Sequence, residues 1–436
     1  MSHHHPIEFH ASSTNSMSGL ARVPGDKSIS HRSIMMGSIA EGVTEVKGFL
    51  EGVDALCTMN AFRDMGVKIE GPVDGRVTVH GVGLHGLKPS AKALDCGNSG
   101  TSMRLISGLL AGQDFDSELV GDDSLSKRPM KRVMDPLKLM GADIQSQEGG
   151  RPPLKVRGKP PLKAIHYDLP MASAQVKSCV LLAGLYADGI TSVTEPAVTR
   201  DHTERMLNGF GVKVTTEDGR ISIAGGQKLK ATAIDVPSDI SSAAFFMVAA
   251  SICDNADITL KHVGMNPTRT GVIDILKLMG ANLELTNHAV VGGEPVADVR
   301  VRSAQLKGIQ IPEHLVPLAI DEFPVLFVAA ANAVGQTVLT GAEELRVKES
   351  DRIAVMAKGL QACGVDATPT EDGMIINGKG GTPGARYGAA EIESQGDHRI
   401  AMSFSIAGLR AAGPIVIRDC ANVAKIGRAS CRERVS

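Results

Sequence analysis

Tryptophan is absent from this chain, and aromatic side chains make up only 3% of it. Surfaces that stack nucleic-acid bases need such rings, and a net charge of -2 offers phosphate backbones no general attraction. Nucleic acid is therefore not an expected partner. Long apolar runs are missing too: none approaches the roughly 20 residues that span a bilayer, and the longest, near 243–252 and 323–331, read as buried helices. No membrane partner is expected. The opening M-S-H-H-H-P-I-E-F-H lacks the apolar core of a signal peptide, so the expected location is cytoplasmic. The seven cysteines form no C-x-x-C pair, which suits a reducing compartment and gives no zinc framework. His3, His4, His5 and His10 read as a disordered, solvated tail rather than a metal site. G-x-x-x-x-G-K-[ST], H-E-x-x-H and G-x-S-x-G are all missing, and the G-x-G-x-x-G at Gly81, Gly83 and Gly86 is followed by L-K-P-S where a helix should begin.

What is present is a soluble, enzyme-like composition of 436 residues, 43% hydrophobic with a mean hydropathy of +0.02. That length exceeds one ordinary core, so two domains are expected. One sequence unit recurs. An amphipathic helix ends at a glycine and turns into a strand at Gly66, Gly141, Gly211, Gly280 and Gly364, spaced 75, 70, 69 and 84 residues apart. Each glycine has the position of a residue that ends its helix in the left-handed conformation. Asp74-Gly75, Asp218-Gly219 and Asp372-Gly373 signal hairpin turns shortly after. Upstream, small-residue or charged openings feed further helices, giving six βαβαββ-like units, three per domain, of which the last breaks off early. Pro24 and Pro237 stand at matching V-P-G-D and V-P-S-D junctions, so the expected domains are 24–236, and 1–23 with 237–436. Helices that open each unit can aim their positive dipole ends at a cleft between the domains.

The first opening, V-P-G-D-K-S-I-S-H-R, puts Lys27 and Ser28 at the start of an apolar helix, with Ser28 at the expected N-cap and Arg32 a turn later. An ammonium, a hydroxyl and unpaired backbone N–H groups at one helix start suit a phosphate. Asn98-Ser99-Gly100-Thr101-Ser102-Met103-Arg104 is a second small-residue entry. Lys127-Arg128-Pro129 predicts a helix with proline at its first position and Arg128 left to grip a phosphate or carboxylate. Ser173-Ala174-Gln175 opens another helix with hydroxyl and amide partners. In the second half, acids stand beside bases in Asp321-Glu322, Lys348-Glu349-Ser350-Asp351-Arg352 and Asp397-His398-Arg399, arrangements that serve proton transfer when a cleft closes on them.

Together, P-G-D-K-S-I-S-H-R, G-N-S-G-T-S-M-R, K-R-P-M, P-M-A-S-A-Q-V-K-S, R-V-K-E-S-D-R and D-H-R-I-A-M-S-F closely resemble the 5-enolpyruvylshikimate-3-phosphate synthases, above all their second bacterial class, from about Gly19 to Ala424. The resemblance implies an α/β fold of two inverse α/β barrel domains with three repeats each and the active site in the interdomain cleft. It implies a monomer without metal or organic cofactor that moves the enolpyruvyl group of phosphoenolpyruvate to the 5-hydroxyl of shikimate 3-phosphate. Carried over by motif, Lys27 touches both substrates; Ser28, Arg32, Ser173, Gln175, Arg200 and Lys348 hold shikimate 3-phosphate; Gly100, Arg128, Arg352 and Arg399 line the phosphoenolpyruvate site; Asp321 and Glu349 manage the protons. Gly100 stands where this class commonly has alanine, which implies sensitivity to glyphosate.

Two rival readings are a phosphate-ligand binding protein without turnover and the related transferase acting on UDP-N-acetylglucosamine. The latter begins with a K-N pair and carries a loop cysteine, whereas this chain has Lys27-Ser28 and no cysteine between Cys96 and Cys179. Residues 425–436 lack an apolar helical pattern and the family's T-S-F-P-like ending. Ile426 to Val435 is what an in-frame reading of a common sequencing adapter encodes, so this stretch reads as a non-native tail.

Overall fold

The computed structural model describes residues 7–14, 16–381 and 387–426. The chain is a two-domain α/β protein. One unit comprises Gly25–Val236 with Val290–Glu294; the other comprises Met1–Pro24, Pro237–Ala289 and Pro295–Ser436. We call them the first and second unit. Each has its own apolar core.

Among the described residues eleven α-helices make five pairs and a last single helix. The first unit holds α1 (Lys27–Ile39), α2 (Val53–Asp64), α3 (Gly100–Ala111), α4 (Lys131–Leu139), α5 (Ala174–Gly184) and α6 (His202–Gly209). The second holds α7 (Ile240–Ile252), α8 (Gly271–Leu278), α9 (Phe323–Ala331), α10 (Arg352–Ala362) and α11 (His398–Gly408), after which the 3-10 helix Ala421–Ile426 stands where a twelfth would. No described helix is long and apolar enough to cross a membrane. The apolar runs foreseen as buried helices are α7 and α9, whose side chains are almost wholly buried.

The even-numbered helices end as their glycines require. Gly66, Gly141, Gly211, Gly280 and Gly364 all have positive φ, between 78° and 91°. At α6, Gly211 N–H donates to the Asn208 carbonyl at 3.0 Å and Val212 N–H to the Leu207 carbonyl at 2.9 Å. The same pair of bonds closes α2, α4, α8 and α10. Carbonyls that the helix itself cannot satisfy are thereby paired, and the chain is redirected into a strand.

Each repeat then builds a small sheet of one layout. In the first unit, Asp116–Val120 pairs with Leu94–Asp95 in parallel and with Arg151–Arg157 antiparallel, and the latter pairs with Asp143–Gln147. His166–Asp168, Ile190–Thr194, Arg220–Ala224 and Val214–Glu217 repeat that order. So do Met17–Ala21, Ala256–Gly264, Glu294–Arg302 and Asn282–Val291 in the second unit. Leu94–Asp95 and His166–Asp168 each feed the odd-numbered helix that returns beside them, the usual β–α–β crossover, whereas Met17–Ala21 runs on into α1 and its partner Ala256–Gly264 is entered from α7. In the sixth repeat Ile415–Arg418 has its parallel neighbour Ala390–Glu393, and its antiparallel place is taken by Phe9–Ala11.

Two local expectations change. His10 is not in a disordered tail but in the strand Phe9–Ala11, opposite Val416, because that strand fills the open edge. Asp74-Gly75 and Asp218-Gly219 form two-residue turns with both φ positive, but Asp372-Gly373 does not. There the loop spans 370–373 between Pro369 and Met374, and Gly373 is needed because a Cβ would lie 2.0 Å from the Leu339 carbonyl oxygen. Of the expected non-native tail, residues 427–436 lie outside the described residues.

The two kinds of glycine separate by mutation. Gly211→Ala meets nothing within 4 Å and carries only the left-handed backbone cost, so urea unfolding is expected to show a loss of about 1–2 kcal/mol. Gly373→Ala must push backbone apart and should cost more than Gly211→Ala despite its ordinary φ.

Candidate active site

In the first unit, Asp26 rather than Ser28 caps α1: its Oδ1 accepts the Ile29 N–H at 2.9 Å. The helix begins two residues earlier than the serine cap required, and Ser28 becomes its second residue. Its hydroxyl makes no hydrogen bond among the described residues. Lys27 pairs with Asp54, a buried carboxylate in the first turn of α2. Arg32 is 4% exposed and spends its nitrogens on neutral oxygens: Thr203 Oγ1 at 2.7 Å, the Ser28 carbonyl at 2.9 Å and Ser178 Oγ at 3.0 Å. Burial pulls its pKa down to about 10, with Glu204 and Asp26 opposing, yet it stays cationic at neutral pH. It makes no ion pair among the described residues, so a buried positive charge is left for an anion to offset.

Ser99 caps α3, accepting the Ser102 N–H at 3.0 Å, and Gly100 is the first helical residue. A Cβ on Gly100 would lie 2.6 Å from Arg104 Nη1 and 3.7 Å from Arg128 Nη1, so two guanidinium groups sit against this glycine. Arg104 donates to Gln175 Oε1 at 2.7 Å, and Gln175 donates in turn to Thr101 Oγ1 at 2.9 Å. Arg128 is aimed by Asn98 Oδ1 at 2.7 Å and Ser124 Oγ at 3.1 Å, while the Asn98 amide donates to both oxygens of Asp122. The expected helix start at Pro129 is absent. Met130 caps α4 and Lys131 opens it, because Leu125–Lys127 forms a 3-10 turn that uses the residues before. Ser173 caps α5 as the sequence suggested, accepting the Val176 N–H at 3.4 Å. Arg200 is half-buried beside Asp201, the α6 cap, and close enough to depress the Arg32 pKa.

The second unit gathers its charges around Arg352, which is 2% exposed. Its Nε donates to Asp397 Oδ2 at 2.9 Å, Nη2 to Asp397 Oδ1 at 3.4 Å and Nη1 to Asp321 Oδ1 at 3.2 Å. Burial alone would lower the guanidinium pKa, but Asp397 and Asp321 raise it above its ordinary value. Asp397 is wholly buried. Desolvation pushes its pKa up, and Arg352 outweighs that and holds it below the usual range. It also caps α11 through the Arg399 N–H and accepts from Ser350. Arg399 donates to the Asp321 carbonyl at 3.0 Å. His398 Nδ1 lies 3.0 Å from Glu349 Oε2, and burial keeps this imidazole below its usual pKa against the opposing pull of Glu349.

Ligand atoms of Glu349, Asp397 and His398 lie within 4.8 Å of one another. Both oxygens of Asp397 are committed to Arg352, however, which already supplies the positive charge a cation would bring. Of the residues expected in the second unit, Asp321, Arg352 and Arg399 come together directly. Glu349 joins through His398, which stands between Asp397 and Arg399 in sequence. Lys348 instead pairs with Glu344 at 2.6 Å. Sequence reasoning gave no individual role to Asp54, Asn98, Arg104, Asp397 or His398. Asn98, Arg104, Asp397 and His398 lay inside motifs already singled out; nothing local marked Asp54.

Fold and clusters define an α/β protein in which Arg32 and Arg128 of one unit have only neutral partners among the described residues and carboxylates of the other are bound to arginines. Residues 12–426 match the family model described as EPSP synthase (3-phosphoshikimate 1-carboxyvinyltransferase). A 3-phosphoshikimate 1-carboxyvinyltransferase of Hydrogenovibrio crunogenus is 67% identical over 422 residues, covering 96% of this chain and 94% of that one. One of Methylococcus capsulatus is 64% identical over 422 residues, covering 97% and 95%. A solved EPSP synthase from Acinetobacter baumannii superposes with a TM-score of 0.89 at 62% identity, covering 98% of each chain. The chain belongs to the EPSP synthase family.

The two sorts of arginine predict different stability losses. Arg352→Met strands a buried carboxylate and should cost about 3–5 kcal/mol in chemical unfolding. Arg128→Met gives up bonds to neutral groups and should cost about 1 kcal/mol.

Proposed function

We propose that this protein transfers the enolpyruvyl group of phosphoenolpyruvate to the 5-hydroxyl of shikimate 3-phosphate and releases phosphate, the step that leads toward chorismate and the aromatic amino acids. Family membership across 12–426 supports the reaction. The observation that carries it to these residues is that Arg32 and Arg128, both at helix-start clusters of the first unit, have only neutral partners among the described residues. A phosphate and a carboxylate are the ligands that offset such charges.

Lys27, Ser28, Arg32, Ser173, Gln175 and Arg200 hold shikimate 3-phosphate in this reading, Lys348 joining them once released from Glu344. Gly100, Arg128, Arg352 and Arg399 hold phosphoenolpyruvate, and Lys27 serves both. The 5-hydroxyl oxygen bonds to C2 of the enol while its proton goes to one carboxylate, and the methylene carbon takes a proton to become methyl. The resulting tetrahedral intermediate then loses phosphate, and loss of a methyl proton restores the C=C bond. Asp321 and Glu349 carry these protons, held by Arg352 and His398. The enzyme acts in the cytoplasm as a monomer, without metal or organic cofactor.

Phosphate release that needs both substrates tests the reaction, and its absence would favour a binding protein. Lys27→Met should abolish turnover while far-UV circular dichroism stays unchanged. Retained turnover within tenfold of the unaltered chain, a barrier change of only about 1.4 kcal/mol, would remove Lys27 from the site. Glyphosate should compete with phosphoenolpyruvate. Gly100→Ala drives a methyl into Arg104 and against Arg128, and should weaken the longer inhibitor more than the substrate. Inhibition and KM curves on the two proteins check this.

A further inference from the structure

Four polar side chains between the starts of α1, α2 and α3 have no role in the reaction as proposed: His31, Thr58, Ser99 and Ser102. None is more than 2% exposed. His31 Nδ1 lies 2.8 Å from Thr58 Oγ1, and Thr58 Oγ1 lies 2.6 Å from Ser102 Oγ. Ser102 Oγ donates to Ser99 Oγ at 2.8 Å, and Ser99 Oγ lies 3.5 Å from His31 Nε2. The four groups thus form a closed ring.

Proton counting sets the sense of that ring. A hydroxyl has one proton to give, and a neutral imidazole has one N–H. Ser102 spends its proton on Ser99, so the short contact to Thr58 is one in which Thr58 donates. Its alternative acceptor, the Asp54 carbonyl, is farther away at 3.4 Å. Thr58 must then be served by His31 Nδ1–H, for which Thr58 is nearer than Ser102 at 3.3 Å. Nε2 is left bare to accept from Ser99 through the longest contact. Only the neutral ring fits. The charged groups facing it are Lys27, Arg32 and Asp54; burial lowers the His31 pKa to about 3, with both cations adding to the effect and Asp54 opposing.

We infer that His31 is a positioning residue: as the Nδ1–H tautomer it closes a one-way ring of hydrogen bonds that pins the start of α3, with Ser99 and Gly100, to the start of α1, with Lys27. Ser99 is both ring member and helix cap, so loss of the ring moves the backbone beside Gly100. Small displacements of groups that hold a reacting molecule cost rate steeply.

Two experiments on the full chain test this. In nitrogen-15 histidine NMR, with His31→Gln assigning the signal, His31 should keep one protonated Nδ1 and one bare Nε2 from pH 5.5 to 8.5. Titration in that range, or an Nε2–H tautomer, would overturn the ring. In steady-state kinetics, Thr58→Val opens the ring at constant shape; KM for phosphoenolpyruvate should rise about tenfold, the worth of one buried hydrogen bond, with KM for shikimate 3-phosphate within about twofold. Thr58→Ser should restore it. An unchanged KM in Thr58→Val, or equal losses for both substrates, would overturn the positioning role. The kinetic arm rests on the proposed assignment of Gly100 to the phosphoenolpyruvate site and the spectroscopic arm does not. Absence of turnover by the unaltered chain would count against the reaction while the NMR result still decides the ring.

Discussion

A helix begins with backbone N–H groups that the helix cannot satisfy itself, and at five of the six odd-numbered helices a side-chain oxygen meets that demand. The capping side chains are Asp26, Ser99, Ser173, Asp239 and Asp397, while Glu322 stands at the cap position of α9 without a capping bond. The polar chemistry therefore gathers where helix starts already call for oxygen atoms.

How the demand is met differs between the units. In the first, two of three caps are serines, which satisfy an N–H without cancelling the positive end of the dipole. Arg128 lies by the serine-capped start of α3 and Arg32 in α1 behind its Asp26 cap, both with neutral partners. In the second unit all three cap positions hold acids, and arginines answer them: Arg269 beside Asp239, Arg399 near Glu322, and Arg352 against Asp397. There charge is balanced internally, and carboxylates such as Asp321 keep defined orientations. One repeated module thus carries arginines with neutral partners in one unit and oriented acids in the other.

Features set by neighbours in sequence were legible without a structure. The five glycines announced the repeat because a left-handed residue after an amphipathic helix is a local necessity, and the buried helices showed in their apolar runs. The reading of D-K-S erred because aspartate and serine cap equally well and only backbone angles choose between them. K-R-P misled in the same way, since proline fits the first helical position but does not force a helix to start there. Asn98 and Asp397 sat in plain view but gained meaning only from partners 24 and 45 residues away, Asp122 and Arg352. The Lys348 pairing with Glu344 was hidden because an i, i+4 contact competes with any distant role.

The strand Phe9–Ala11 finds its antiparallel partner only at Ile415–Arg418. Ribosomes add roughly 5–20 residues per second, so this segment leaves the exit tunnel tens of seconds before its partner is made. Gly25–Val236 can meanwhile form nearly all of its own core from contiguous chain. Synthesis therefore imposes an order on assembly, in which the last repeat closes only when the oldest part of the nascent chain docks with nearly the youngest. Until then the edge of Ile415–Arg418 is exposed to any other extended segment, and a neighbouring nascent copy of Phe9–Ala11 on the same messenger is the best-matched competitor for it.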